Sequence, residues 1–157
     1  MTFDKLPAPD IATTLHVRDT CLCLHAQRAA RVLARGFDEA LKPARLTNGQ
    51  FSMLMSMNRP GPVRMRDVAA LLGMDRTTLT AALKTLEKRG LVTTEPDPDD
   101  RRGRLLVLTD AGRERLAEAM PIWVETHGAF ERELDDPAAL RAGLVSLAST
   151  GRSIRDG

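Results

Sequence analysis

Residues 72–112, LGMDRTTLTAALKTLEKRGLVTTEPDPDDRRGRLLVLTDAG, decide how this chain folds. Leu79, Leu83 and Leu86 recur at the i, i+4, i+7 spacing that places them on one face of a helix. Asp75 stands before that run as an N-cap, and Gly90 stops it. Beyond Gly90 the period changes. LVTTE (91–95) and RLLVLT (104–109) are short β-prone runs, and the polar turn PDPDDRRG (96–103) lies between them, which is the pattern of a hairpin. Upstream, RMRDVAALLGM (64–74) is a short helix closed by Gly73. A short helix, a turn, a second helix and a hairpin in that order make a winged helix-turn-helix.

The leucine face of the second helix belongs to the core, so its other side carries Arg76, Thr77, Thr78, Thr80, Lys84 and Lys88. Short hydroxyls near the helix start and long bases further along suit a helix whose N-terminal end enters a major groove. Threonine bonds base edges or phosphates and touches thymine methyls, and Arg76 matches guanine or a phosphate. The hairpin adds Arg101, Arg102 and Arg104, which can reach a neighbouring minor groove or the backbone. Taken singly, each of these charges also fits a solvated surface. Their ordered combination points to double-stranded DNA, and a winged helix used only for protein–protein contact is the alternative.

The flanking sequence is helical. After Pro7 and Pro9, Asp10 caps a helix expected to run unbroken to about Leu41, where Lys42-Pro43 stops it. Leu15, Leu22, Ala26, Ala29, Leu33, Phe37 and Leu41 form its stripe, while Val17, Leu24 and Val32 lie off it. A helix apolar on more than one side is packed on more than one side. Thr47 and Gln50 form a capping box before FSMLMSM (51–57). Thr109 caps a long helix with Pro121 inside it as an expected kink. Asp135-Asp136-Pro137 starts a last helix that runs to about Thr150, followed by a polar tail. In that helix Leu140, Leu144, Leu147 and Ala148 share a side, either for a partner subunit or for packing within the chain. A two-fold dimer also supplies the second recognition helix that a full-length site needs. The expected division is a dimerisation helix at 10–45, a DNA-binding domain at 46–110 and dimerisation helices at 111–152.

Composition narrows the classes further. A formal charge of +2 over 157 residues implies no strong partner by itself. There is no basic region followed by an apolar stretch near the start and no apolar run of membrane-spanning length, so the expectation is a cytoplasmic protein without a membrane partner. Two cysteines make no disulfide framework. No Ser/His/Asp order, HExxH, P-loop or dinucleotide fingerprint is present, so neither an enzyme nor a cofactor is expected.

With its recognition helix ending in LEKRGLV (86–92) and its wing DDRRGRLLVLT (99–109) followed by Gly112, the chain resembles the MarR family of bacterial transcription regulators along nearly its whole length. The resemblance implies a mainly α winged helix-turn-helix with a small β-hairpin wing. It also implies a homodimer with interlocked terminal helices, bound to a pseudo-palindromic operator. Asp100 and Arg102 match the family's wing pair, the arginine reaching DNA and the aspartate fixing wing geometry. Most members repress genes and release DNA when a small molecule binds or a cysteine is oxidised. Cys23 falls where the organic hydroperoxide sensors of the family keep their reactive cysteine. Those sensors use tyrosines to stabilise the thiolate; this chain has none, and Phe37 and Asn48 stand in their places.

Two readings of the thiols stay open. Buried cysteine is a small hydrophobe. As sensors, Cys21 would share a helix face with His25 and Arg28, and Cys23 with His16, Thr20 and Gln27. A Cys21–His25 pair is at most half a metal site, and no metal is assigned. If the thiols are structural, a small acidic or aromatic effector is the natural switch, drawing on His25, Arg28, Phe51, Met53, Met57, Trp123 and His127. The methionines there are equally good core filler.

Overall fold

The computed structural model describes residues 8–153, without the side chains of 151–153. Pro7 and the polar tail past residue 153 lie outside the described residues. The elements are α1 (Ile11–Thr20), α2 (Leu22–Ala40), a 3-10 turn (Lys42–Ala44), α3 (Asn48–Met57), β1 (Val63–Arg64), α4 (Met65–Leu72), α5 (Arg76–Lys88), β2 (Val92–Asp97), β3 (Asp100–Leu108), α6 (Asp110–Arg132) and α7 (Pro137–Ser153). The chain divides after Arg35 into two compact units.

In the first unit, the helix expected to run unbroken from Asp10 is broken at Cys21. That residue is extended (φ −70°, ψ 106°) and caps the end of α1. It also starts α2: its carbonyl accepts the His25 N–H at 3.1 Å, and its Sγ accepts the Leu24 N–H at 3.5 Å. Sulfur here does the work of an N-cap oxygen at the third helical position. At the end of α1, the Thr20 hydroxyl donates to the His16 carbonyl at 2.7 Å. Local bonds to side chains of this kind compete with the helix ladder.

The second unit contains the winged helix. The Thr47–Gln50 capping box opens α3 as expected, with both reciprocal bonds made. Gly73 ends α4 at φ 64°, a left-handed conformation that glycine takes without a Cβ clash. Asp75 caps α5 and Thr109 caps α6, each accepting a backbone N–H three residues on. Helix α6 continues through Pro121 to Arg132. In the loop before α7, Asp136 accepts the Ala139 N–H at 2.9 Å.

The wing differs from the expected hairpin in two respects. It is a three-stranded antiparallel sheet of order β1-β3-β2, because Val63 and Arg64 pair with Leu106 and Leu105. The strands also extend further into the expected loop, so that Arg101, Arg102 and Arg104 stand on β3. Pro96 is tolerated opposite Arg104 because β2 is an edge strand. The register shifts between Pro96 and Asp97, which brings Asp97 opposite Asp100.

One core joins these elements. Leu79, Leu83 and Leu86 of α5 are buried with Leu54, Met57, Val68, Val92 and Leu106. Phe37 and Leu41, the end of the α2 stripe, are buried as well, and the Phe37 ring packs on Phe130 at 5.6 Å. Outside this core, large apolar side chains stay exposed on α1, on α2 and along α7, among them Ile11, Leu22, Val32, Leu140, Leu144 and Leu147.

Candidate nucleic-acid interface

The start of α5 and the wing enclose a cleft of about 240 Å³. Five arginines line it: Arg64 from β1, Arg66 from α4, Arg76 from α5, and Arg102 and Arg104 from β3. Asp97 and Asp100 are the acidic members of its wall. A second opening of about 180 Å³ continues along α5, between Thr80, Lys84 and Glu87 on the helix and Thr94 and Arg104 on the wing. Cations set close together in a concave surface concentrate a positive potential.

Several of the sequence-predicted residues hold this geometry. The Arg76 Nη2 donates to the Arg102 carbonyl at 2.8 Å, tying the first turn of α5 to the wing. Thr78 donates its hydroxyl to the Asp75 carboxylate at 2.6 Å and its N–H at 2.8 Å. Those bonds hold the Asp75 carboxyl below the usual carboxylate range. The Thr80 hydroxyl donates to the Arg76 carbonyl at 2.7 Å. Thr77, Lys84, Arg101, Arg102 and Arg104 are exposed. Asp100 accepts the Arg102 N–H at 2.9 Å, which fixes the turn of the wing. Gly103 makes room for that turn, since a Cβ there would lie 2.9 Å from the Asp97 Cβ.

Sequence reasoning singled out neither Arg64 nor Asp97. Arg64 donates from Nε to Asp97 at 3.1 Å and from Nη2 to Asp99 at 3.2 Å. The partners are 33 and 35 residues away, beyond any local spacing rule.

The candidate sensing and effector residues are distributed over the two units. In the first unit, Cys23 is exposed, and the Gln27 amide donates to its Sγ at 3.0 Å. The expected Cys21–His25 face does not form a pair of that kind. Cys21 caps α2, and the His25 ring nitrogen lies 3.2 Å from the Asp19 carbonyl oxygen. Arg28 is exposed. In the second unit, Trp123 stacks with Phe51 and with His127, with ring centroids 6.2 Å and 4.5 Å away. Met53 and Met57, at 2% and 1% exposure, pack in the core, and Phe51 is buried with them. The flexible, apolar methionine side chains suit that filling role. Asn48 uses its backbone N–H to cap onto Asp38 at 2.7 Å.

The MarR family model matches residues 46–103, the span from α3 to the wing. The chain is similar to the Mycobacterium tuberculosis transcriptional regulator MosR, solved in complex with DNA. That likeness is 33% identity over 86% of this chain and 98% of that one, with a TM-score of 0.79. It is also similar to the transcriptional repressor CouR bound to a 23-mer DNA duplex, at 31% identity over 85% of this chain and 94% of that one, with a TM-score of 0.67. Another CouR structure, from Rhodococcus jostii, holds p-coumaroyl-CoA and is 28% identical, covering 83% and 93% of the two chains with a TM-score of 0.70. An organic hydroperoxide resistance regulator of Bacillus subtilis is 25% identical over 82% of this chain and 88% of its own.

Proposed function

The chain belongs to the MarR family of transcription regulators, and from that premise we propose that it is a sequence-specific DNA-binding repressor. It acts as a homodimer in the cytoplasm, not as an enzyme, on a pseudo-palindromic operator. The observation that carries this reading is the arginine-lined cleft that Arg76 and Arg102 close between α5 and the wing. Helix α5 enters the major groove with Thr77, Thr80 and Lys84 facing base edges and phosphates. Thr78 supports it through the Asp75 cap. Arg101, Arg102 and Arg104 follow the neighbouring backbone or minor groove. Residues 46–110 form the DNA-binding part; 10–45 and 111–152 supply the dimer contacts, a role supported by the apolar side chains exposed on α1, α2 and α7. No described helix is long and apolar enough to cross a membrane.

Two release signals fit the residues. Oxidation of Cys23 is supported by its exposure and by the Gln27 amide that donates to its sulfur. A small acidic or aromatic ligand is supported by the partly exposed, stacked Trp123 and His127.

The test is fluorescence anisotropy with a labelled duplex spanning the region upstream of the chain's own gene, against a shuffled duplex, in reducing buffer. Specific binding is expected for the first and only weak, salt-sensitive binding for the second. Binding to neither, even at low salt, would make the winged helix a protein–protein module instead. Organic hydroperoxide followed by reductant then separates the signals. Reversible release that Cys23→Ser resists assigns the switch to Cys23, and indifference assigns it to a ligand.

A further inference from the structure

The cleft holds a carboxylate that phosphate binding alone gives no reason to place there. Asp97 ends β2 among Arg64, Arg76, Arg102 and Arg104, and it is only 6% exposed. A negative charge on a surface that meets DNA repels the phosphates, and net electrostatics would favour its loss.

Its contacts give another reason. One carboxylate oxygen accepts the Arg64 Nε at 3.1 Å, and the other accepts the Asp99 N–H at 2.9 Å. Arg64 precedes α4 and pairs through its backbone with Leu105 of β3. It therefore grips the far end of β2 from the helix-turn-helix side. A Cβ on Gly103 would lie 2.9 Å from the Asp97 Cβ, so the bearer of the grip sits close against the segment that presents Arg102. The second hold on that segment is Arg76, through the Arg102 carbonyl.

We propose that Asp97 is a positioning residue for DNA binding. Held by Arg64, it sets the pose of Arg102 against α5, and this outweighs its repulsion of the DNA backbone. The proposal rests on the cleft being the DNA interface.

The two effects have opposite signs, which makes the test sharp. Anisotropy titrations on the upstream duplex are run at several salt concentrations with Asp97→Asn, Arg64→Gln and the double variant. Removing a carboxylate from a merely electrostatic surface tightens binding. The positioning role predicts that Asp97→Asn weakens it about tenfold, the scale of one lost interaction. The salt slope becomes shallower by up to about one, because the phosphate contact weakened is the one Arg102 makes. The double variant is no weaker than Arg64→Gln alone, as expected for one coupled pair. Circular dichroism and dimer mass of Asp97→Asn remain those of the wild type while its affinity falls. If Asp97→Asn does not fold, Arg64→Gln decides against an Arg102→Ala background: no further loss in the Arg64→Gln/Arg102→Ala variant supports the proposal, and an additive loss with a further drop in slope, the mark of a direct phosphate contact by Arg64, overturns it. Equal or tighter binding by Asp97→Asn also overturns it. Failure of the wild type to bind any duplex removes the DNA reading and the proposal together, whereas a binding wild type with indifferent variants removes the proposal alone.

Discussion

Gly112 carries the junction between the wing and α6 because nothing larger fits there. A Cβ would stand 2.3 Å from the Leu91 carbonyl oxygen and 2.6 Å from Leu108 Cδ1. That carbonyl already accepts the Thr109 N–H at 3.2 Å, so the backbone has little freedom to withdraw. Gly112→Ala is expected to destabilise the fold by about 2 kcal/mol, within the usual range for overpacking, seen as a lower urea midpoint at unchanged m. Asp75 acts through charge instead. Its folded-state pKa is lowered, chiefly by the Thr78 hydroxyl and then by the Thr78 N–H. The stabilisation is therefore complete above the unfolded-state pKa and is lost as pH falls through the lowered value. Melting temperatures are expected to drop more steeply from about pH 5 to about pH 3 for the wild type than for Asp75→Asn, which keeps a capping oxygen without the titration. Thr77 is exposed at the start of α5, the end that the proposed function places against base edges. Thr77→Val is expected to change the preferred base at one or two operator positions, on a panel of single-base variants, with little change in salt slope.

At the scale of elements, α5 was legible because three leucines at helical spacing met a cap and a terminal glycine. The caps of α3 and α6 were legible for the same reason: a side-chain oxygen three residues before its partner N–H is a local signal. What stayed hidden was non-local or lacked a period. β1 is two residues long and shows no alternation, so only its pairing with β3 reveals it. The Arg64–Asp97 bond joins residues far apart in sequence, and nothing in the composition of PDPDDRRG marks which aspartate is buried. The break at Cys21 lies inside a stretch whose apolar spacing is helical on both sides, and a sulfur cap is not a residue type that helix-start rules name. Cys21→Ser supplies a stronger acceptor for the Leu24 N–H and is expected to hold or raise the melting temperature. Cys21→Val removes the cap and is expected to lower stability by about 1 kcal/mol.

For the whole molecule, the decisive feature is how much apolar surface the chain leaves uncovered on its terminal helices. Leu140, Leu144 and Leu147 of α7 are each close to half exposed, a pattern that a lone soluble chain seldom keeps. The proposed homodimer would cover it and present two copies of α5 to one face of DNA. Light scattering is expected to give twice the 17.2 kDa of the chain. Leu140→Glu with Leu144→Glu, outside the core, is expected to leave a folded monomer that has lost specific affinity. Each member of that account depends on the arginine cleft meeting phosphates, and one measurement addresses it directly: the salt dependence of duplex binding for the wild type and for Arg102→Ala. The prediction is a linear fall of log K with log salt concentration, with a slope shallower by about one for Arg102→Ala. Binding that ignores salt, or two slopes that coincide, would contradict the placement of the wing on the DNA backbone.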